Sequence, residues 1–293
     1  MTDYGQPLRF GFFPSPRADN LDNLLRMVEI AEDRGLDLVS IQDHPYQKRF
    51  LDTWTLLSVV GARSSSIRLS PNVANLPLRP PVMLAKAAAS LDVITGGRVE
   101  LGLGAGAFWD GVVAAGGPRR SPGEAVRALT EAIAVMRAFW SGGTVDLDGE
   151  FYPVHGLHAG PPPAHRIPIW LGALGPRMLR LTGELADAWV PSLQFVPPEK
   201  VAEKSAIIDD AAEAVGRDPG EIARIYNIDG SFGTGGGLLE GSPAQWAEQL
   251  TDLTVTLGMS TYILATDDPD DLARFADEVV PAVRELVAAE RQG

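Results

Sequence analysis

The stretch LDNLLRMVEIAEDRGLDLVSIQDH, residues 21–44, holds the unit from which the fold is read. Leu21, Leu24, Leu25, Val28 and Ala31 recur at helical spacing and put one apolar stripe on a helix, and Gly35 supplies the left-handed backbone that stops it. A strand is expected next at Asp37 to Gln42, where Leu38-Val39-Ser40-Ile41 is a nearly continuous apolar run, the pattern of burial on both faces. A similar run at Leu8 to Phe13 precedes the helix, so a βα unit is complete before the next strand begins.

Outward from this unit the alternation continues to the end of the chain. Further strands are expected at Ile67 to Val73, Val99 to Gly104, Pro168 to Ala173, Ala188 to Leu193, Arg224 to Asp229 and Thr261 to Ala265. Helices are expected at Pro81 to Thr95, closed by Gly96-Gly97, and at Pro122 to Trp140, closed by Ser141-Gly142-Gly143. Four more follow at Pro176 to Leu185, Pro198 to Val215, Ala244 to Leu257 and Pro269 to Ala289. Short strands alternating with helices in this length predict an α/β protein, a (β/α)8 TIM barrel forming a single domain over residues 1–293. Two segments depart from the repeat. Alternating residues flank Asp148-Gly149 within Thr144 to Val154, which predicts a β-hairpin inserted after helix 4 of the barrel. Gly230 to Gly241 has six glycines in twelve residues and reads as a mobile loop at the active-site end.

Composition narrows the function. The 293 residues are 45% hydrophobic and 22% charged, which excludes disorder. Thirty-eight acidic against 25 basic residues leave a net charge of −13, so nucleic acid is not expected as a partner. Without cysteine there is no disulfide, no thiolate nucleophile and no sulfur-ligated metal. The polar start, Met1 to Gln6, lacks the features of a secretory signal, and Lys86 breaks the Ala-rich run Val82 to Leu91. A soluble cytoplasmic protein with no membrane partner is expected.

In a barrel the chemistry collects where strands end. Strand two leads into Asp43-His44-Pro45-Tyr46, where a histidine beside a carboxylate suits general acid–base work, unless His44 simply hydrogen-bonds a loop. In Gly102-Leu103-Gly104-Ala105-Gly106 the glycines Gly104 and Gly106 permit close approach of backbone to a ligand, or make a small-residue turn. As a dinucleotide fingerprint this run fails, because its third glycine comes one residue early. After strand five, Ala173-Leu174-Gly175-Pro176-Arg177 enters a helix whose exposed amides, with Arg177, suit a phosphate; the same residues also make an ordinary turn. Phe13, Tyr46, Phe108, Trp109 and Gln194 stand at or past strand ends and line an apolar substrate pocket or pack conventionally. His155, His158 and His165 have no acidic residue among them, and Pro161-Pro162-Pro163 interrupts them, so no metal site is expected.

Taken together, Asp43-His44, the run Asn75-Leu76-Pro77-Leu78-Arg79-Pro80-Pro81, Ala89-Ser90-Leu91-Asp92 with Thr95-Gly96-Gly97-Arg98, and Leu101 to Gly106 resemble the bacterial luciferase-like oxidoreductase family. The resemblance continues in Pro168-Ile169-Trp170-Leu171-Gly172-Ala173 and Gly241-Ser242-Pro243, and so spans nearly the whole chain. It implies FMN or the deazaflavin coenzyme F420 at the strand ends, with hydride transfer or flavin-dependent monooxygenation, and a homodimer. A non-catalytic flavin-binding protein is the reading from another class.

Aspartate followed by histidine is similar to the F420 branch, which includes methylenetetrahydromethanopterin reductases, secondary alcohol dehydrogenases and sugar-phosphate dehydrogenases. That branch implies a non-prolyl cis peptide at Asn72–Val73, in a bulge of Asn72, Val73 and Ala74 that backs the central ring of the cofactor. It further implies that Asp43 orients the ring, that His44 exchanges a proton with the substrate, and that Ala173, Leu174, Gly175 and Pro176 hold the phosphate. Sugar-phosphate dehydrogenases carry a glutamate where this chain has Ala107, Phe108 and Trp109. The expected small-molecule substrate is therefore a less polar alcohol, carbonyl or activated alkene.

Overall fold

The structure is a computed structural model and describes residues 2–292. The first half of the chain forms β1 (Arg9–Phe13), α1 (Leu21–Asp33), β2 (Leu38–Ile41), α2 (Thr53–Arg63), β3 (Arg68–Pro71), β4 (Ala74–Asn75), α3 (Pro81–Thr95) and β5 (Leu101–Gly104). It continues through α4 (Trp109–Ala114), α5 (Pro122–Ser141), β6 (Thr144–Leu147), β7 (Val154–His158) and β8 (Ile169–Leu171). The remainder forms α6 (Pro176–Leu185), β9 (Ala188–Trp189), α7 (Pro198–Ala214), β10 (Ala223–Ile228), β11 (Ser231–Phe232), β12 (Glu240–Gly241), α8 (Pro243–Leu257), β13 (Thr261–Ala265), α9 (Pro269–Arg274) and α10 (Val280–Glu290).

Two compact units emerge. The first takes in residues up to Ser15, then Asn20–Ser40, then the chain from Ala173 onward. Its strands run β2, β1, β13, β10, β9, all parallel, with Phe10 level with Tyr262 and Ile225 level with Thr261. Phe10, Tyr262, Phe275 and Trp246 are fully buried or nearly so, and Phe10 stacks on Tyr262 at 5.9 Å. Close approach of β1 to β2 requires Gly11, because a Cβ there would lie 2.4 Å from the Leu38 carbonyl oxygen. The segment expected as one helix from Pro269 to Ala289 holds a π-turn at Phe275–Val279, just before Pro281, whose missing N–H disrupts the regular ladder.

The second unit comprises Pro16–Asp19 and Ile41–Gly172. In it β4, β5 and β8 are parallel neighbours, with Asn75 level with Gly104 and Leu103 level with Leu171. The run expected as one strand from Ile67 to Val73 is instead interrupted: β3 ends at Pro71, Asn72–Val73 is a cis peptide, and pairing resumes at Ala74. Helix α2 was not expected from the sequence, since Trp54, Leu56, Leu57 and Val60 bury without a strong single-face stripe; Asp52 starts it by accepting the Thr55 amide at 2.9 Å. Following α5, β6 and β7 pair antiparallel. Their connection is longer than a tight turn at Asp148-Gly149, because the Glu131 carboxylate accepts the amides of Glu150, Phe151 and Tyr152 and fixes a broad loop. Among the described residues no helix is long and apolar enough to cross a membrane, and no group of three acidic residues or histidines could hold a metal ion.

Candidate active site

Beyond the end of β2 the chain turns at Gln42 and buries Asp43, whose side chain is only 1% exposed. A bare carboxylate so deep would be strongly disfavoured; here its oxygens are occupied by the protein. Oδ2 accepts from the Asn75 amide at 2.9 Å and from Arg79 Nε at 2.6 Å, while Oδ1 accepts from Arg79 Nη2 at 2.7 Å. The bidentate fork fixes direction as well as distance. Arg79 Nη2 also donates to Asp52 Oδ2 at 2.6 Å, which ties the strand end to the residue that caps α2. Burial alone pulls the Arg79 guanidinium down, but the two carboxylates more than reverse this and hold its pKa above the ordinary arginine value. Asp52 is opposed by burial, yet Arg79 and the Thr55 amide keep its carboxyl below the usual range.

His44 follows immediately. Its Nδ1 lies 2.7 Å from Tyr46 Oη, and Phe108 meets the imidazole edge-on at 5.4 Å. Burial pushes the imidazole pKa down, against the Asp43 charge, which pushes it up; the net shift is downward and favours the neutral ring near pH 7. Burial, helped by Asp43, raises the Tyr46 phenol, which therefore keeps its proton. Tyr46 packs against α4: a Cβ on Gly111 would come 2.7 Å from the phenol ring. Phe108 has a left-handed backbone, φ 52°, and is 65% exposed, so its ring stands out beside His44.

The cis Asn72–Val73 bond turns Val73 toward the glycines of β5. A Cβ on Gly102 would lie 2.1 Å from the Pro71 carbonyl oxygen, and one on Gly104 would lie 2.8 Å from Val73 Cγ2. A Cβ on Gly106 would meet both Pro77 and Trp109 at 2.7 Å. On their Cβ side, Gly104 and Gly106 thus give room to this chain's own Val73, Pro77 and Trp109. Ala74 is buried in β4, and the neighbouring Asn75, 7% exposed, has a buried Oδ1 with no hydrogen-bond partner. Neither Asn75 nor Arg79 was singled out from the sequence, although both stand in the Asn75 to Pro81 run; the signal lay in a polar side chain and a cation inside an otherwise apolar, proline-rich loop.

The second unit therefore brings together Asp43, His44, Tyr46, Asn72, Val73, Ala74, Gly104, Gly106, Phe108 and Trp109. Phe13, Gln194 and the turn at Ala173 to Arg177 belong to the first unit. There the Ala173 carbonyl accepts from Trp189 Nε1 at 2.9 Å, and the Leu174 carbonyl accepts from Lys204 Nζ at 2.7 Å. Gly175 is the N-cap of α6 and offers no side chain to its first amides; nothing stands within 4 Å of where its Cβ would be. Pro176 and Arg177 are exposed at this open helix end, and Lys204, unnoticed in the sequence, adds a cation to it. Phe13 is half-buried and Gln194 exposed.

The luciferase-like monooxygenase family model matches residues 5–233. The chain belongs to this family. Among luciferase-like relatives, an F420-dependent glucose-6-phosphate dehydrogenase of Kineococcus radiotolerans is 29% identical over 287 residues, covering 94% of this chain and 81% of the relative. A 5,10-methylenetetrahydromethanopterin reductase of Methanolobus tindarius is 34% identical over 213 residues, covering 72% of this chain and 61% of the relative. An F420-dependent secondary alcohol dehydrogenase, solved with an F420–acetone adduct, superposes with a TM-score of 0.84 at 18% identity, covering 95% of this chain and 100% of that one. The fold of this luciferase-like protein is accordingly α/β, the (β/α)8 TIM barrel.

Proposed function

We propose that the protein is an oxidoreductase that transfers a hydride between coenzyme F420 and a small organic substrate, an alcohol, carbonyl or activated alkene, on one barrel domain over residues 1–293. The observation that carries the reading is His44, a neutral imidazole with Nδ1 engaged by Tyr46 and no hydrogen bond to Nε2 among the described residues, next in the chain to the buried Asp43 anchor. The F420 dependence in the names of the glucose-6-phosphate dehydrogenase and the secondary alcohol dehydrogenase supports this coenzyme over FMN.

The residues fit such a group. In the second unit the unpartnered Oδ1 of Asn75 is an acceptor suited to an imide N–H of a flavin-type ring. In the first unit, taken by itself, the uncapped amides at Gly175 and Arg177, with Lys204, suit a phosphate. A deazaflavin would supply the hydride chemistry at the substrate carbon. His44 would exchange a proton with the reacting oxygen. Asp43, locked by Arg79 and the Asn75 amide, would hold His44 and Asn75 in register. Phe108 puts an apolar ring beside His44, which suits a less polar substrate. A cytoplasmic homodimer is part of the proposal.

Titration of cofactor-free protein with F420 and with FMN, followed by tryptophan fluorescence, tests it. F420 is expected to bind at least about tenfold more tightly, or about 1.4 kcal/mol. His44→Asn is expected to lower turnover by at least about tenfold without releasing F420, as loss of a placed acid–base group does. Tighter FMN binding with oxygen uptake would move the protein to the monooxygenases of its family, and full turnover of His44→Asn would end the role given to this residue.

A further inference from the structure

We infer that Tyr46 is the positioning residue and proton source behind His44: its hydroxyl donates to Nδ1, so that a protonated Nε2 faces the oxygen of a carbonyl substrate and the site is arranged for reduction. The inference rests on the reading of His44 as the group that exchanges a proton with substrate. Tyr46 Oη and His44 Nδ1 are 2.7 Å apart, the separation of a good hydrogen bond. Of the two arrangements the contact allows, phenol to Nδ1 joins the stronger donor to the stronger acceptor, whereas Nδ1–H to the phenol oxygen joins the weaker of each, and the first is the one we assign. The Tyr46 hydroxyl meets no other acceptor among the described residues, so its proton has one partner in the protein. The ring is held for this task by Gly111, where a Cβ would strike it at 2.7 Å, and by Phe108, 6.2 Å away between centroids.

The groups facing His44 are few. Asp43 is an anion whose charge is shared with Arg79, Tyr46 is a phenol, and Phe108 from the start of α4 carries no charge. The ring thus stays neutral with its proton placed by Tyr46 rather than by a carboxylate. Were a carbonyl carbon to gain a hydride from the deazaflavin of the proposed function, the C=O π pair would move to oxygen and leave an alkoxide. The alkoxide takes the Nε2 proton, and Nδ1 takes the Tyr46 hydroxyl proton. The products are an alcohol, a neutral imidazole of the other tautomer and a phenolate, which water reprotonates because Tyr46 is only partly buried. An alkoxide is a far stronger base than a phenolate, so the relay runs downhill even with the phenol raised above its ordinary value. Alcohol oxidation would need an unprotonated Nε2, and this arrangement does not offer one at rest.

The test begins on the free protein labelled with 15N-histidine. The chain has four histidines, and His44 is assigned as the signal lost in His44→Asn. In the neutral protein Nε2 is expected to be protonated, and Nδ1 unprotonated but shifted by the phenol. Tyr46→Phe keeps the ring on Gly111 and is expected to move Nδ1 toward the position of a free nitrogen. In the F420-loaded enzyme the same variant is expected to lower kcat for ketone reduction by about tenfold or more with KM little changed. Its rate in mixed light and heavy water should change from a curved dependence, with two protons in flight, to a linear one. A protonated Nδ1 in the parent protein, an Nδ1 signal indifferent to Tyr46→Phe, or an unchanged kcat would overturn the inference. Full turnover in His44→Asn would instead sink the underlying reading, and the proton-source role with it, while the nitrogen spectra still report whether the pair exists.

Discussion

Replacing Arg79 with glutamine should destabilise the protein more than replacing its partner Asp43 with asparagine, and the two losses should not add. Arg79→Gln removes two charge-assisted hydrogen bonds, at 2.6 and 2.7 Å, from a carboxylate that is 1% exposed, and leaves that anion with the Asn75 amide alone. Breaking a buried pair from one side costs about 3–5 kcal/mol. Arg79 is 18% exposed, so water reaches part of the gap, and the lower end, about 3 kcal/mol, is expected. Asp43→Asn keeps an acceptor for the Asn75 amide and leaves Arg79 with Asp52, so about 1–2 kcal/mol is expected. In the double variant no buried charge is stranded. Its loss should be about 2 kcal/mol, well short of the sum, as contacting groups require. Urea unfolding measures this directly, as a shift of the midpoint at constant slope. Calorimetry should find Arg79→Gln lower in Tm by about 5 °C. A loss below about 1 kcal/mol for Arg79→Gln, or strict additivity in the double variant, would refute the claim that the pair is a buried and coupled anchor.

Two further outcomes follow from the same geometry. Because burial lowers the His44 pKa in the folded state, the unfolded chain takes up the proton first as pH falls; the contribution of this residue to stability is full above about pH 6.5 and declines below it. Thermal unfolding between about pH 8 and pH 5 should show that decline and a shallower one in His44→Asn, and equal slopes would contradict the burial argument. Gly102→Ala, whose Cβ would lie 2.1 Å from the Pro71 oxygen, should cost about 3 kcal/mol or fail to fold. Gly172→Ala meets Val73 only at 3.5 Å and should cost under about 1 kcal/mol, so similar losses for the two would show that the bulge does not dictate these glycines.

The residues that hold the site together show where sequence reasoning stops. Asp43 and His44 are visible as an acid–imidazole pair after a strand, but neighbours in sequence are not partners here. The Asp43 oxygens are taken by Arg79, 36 residues away, and the His44 Nδ1 by Tyr46. Gly104 and Gly106 stand out as glycines, yet only the packing reveals that the atoms close to them are those of Val73, Pro77 and Trp109. Helix α2 is hidden because its buried residues, Thr53, Trp54, Leu56, Leu57, Val60 and Gly61, do not repeat on a single narrow stripe.

The amino-acid sequence by itself determined the class of fold and the places where chemistry can occur. Apolar period is local, set by which side chains must leave water, so eight strand runs and, α2 apart, the helices between them can be read one segment at a time; the run from Leu21 to His44 already contains the repeat and the histidine at its end. Hydrogen-bond partners across 30 residues, a cis peptide that splits an apolar run, and the choice of donor between a phenol and an imidazole are decided only when the chain is folded. Burial then strips water from Asp43 and Asn75 and partly from His44, and whichever group stands within 3 Å determines what each can do.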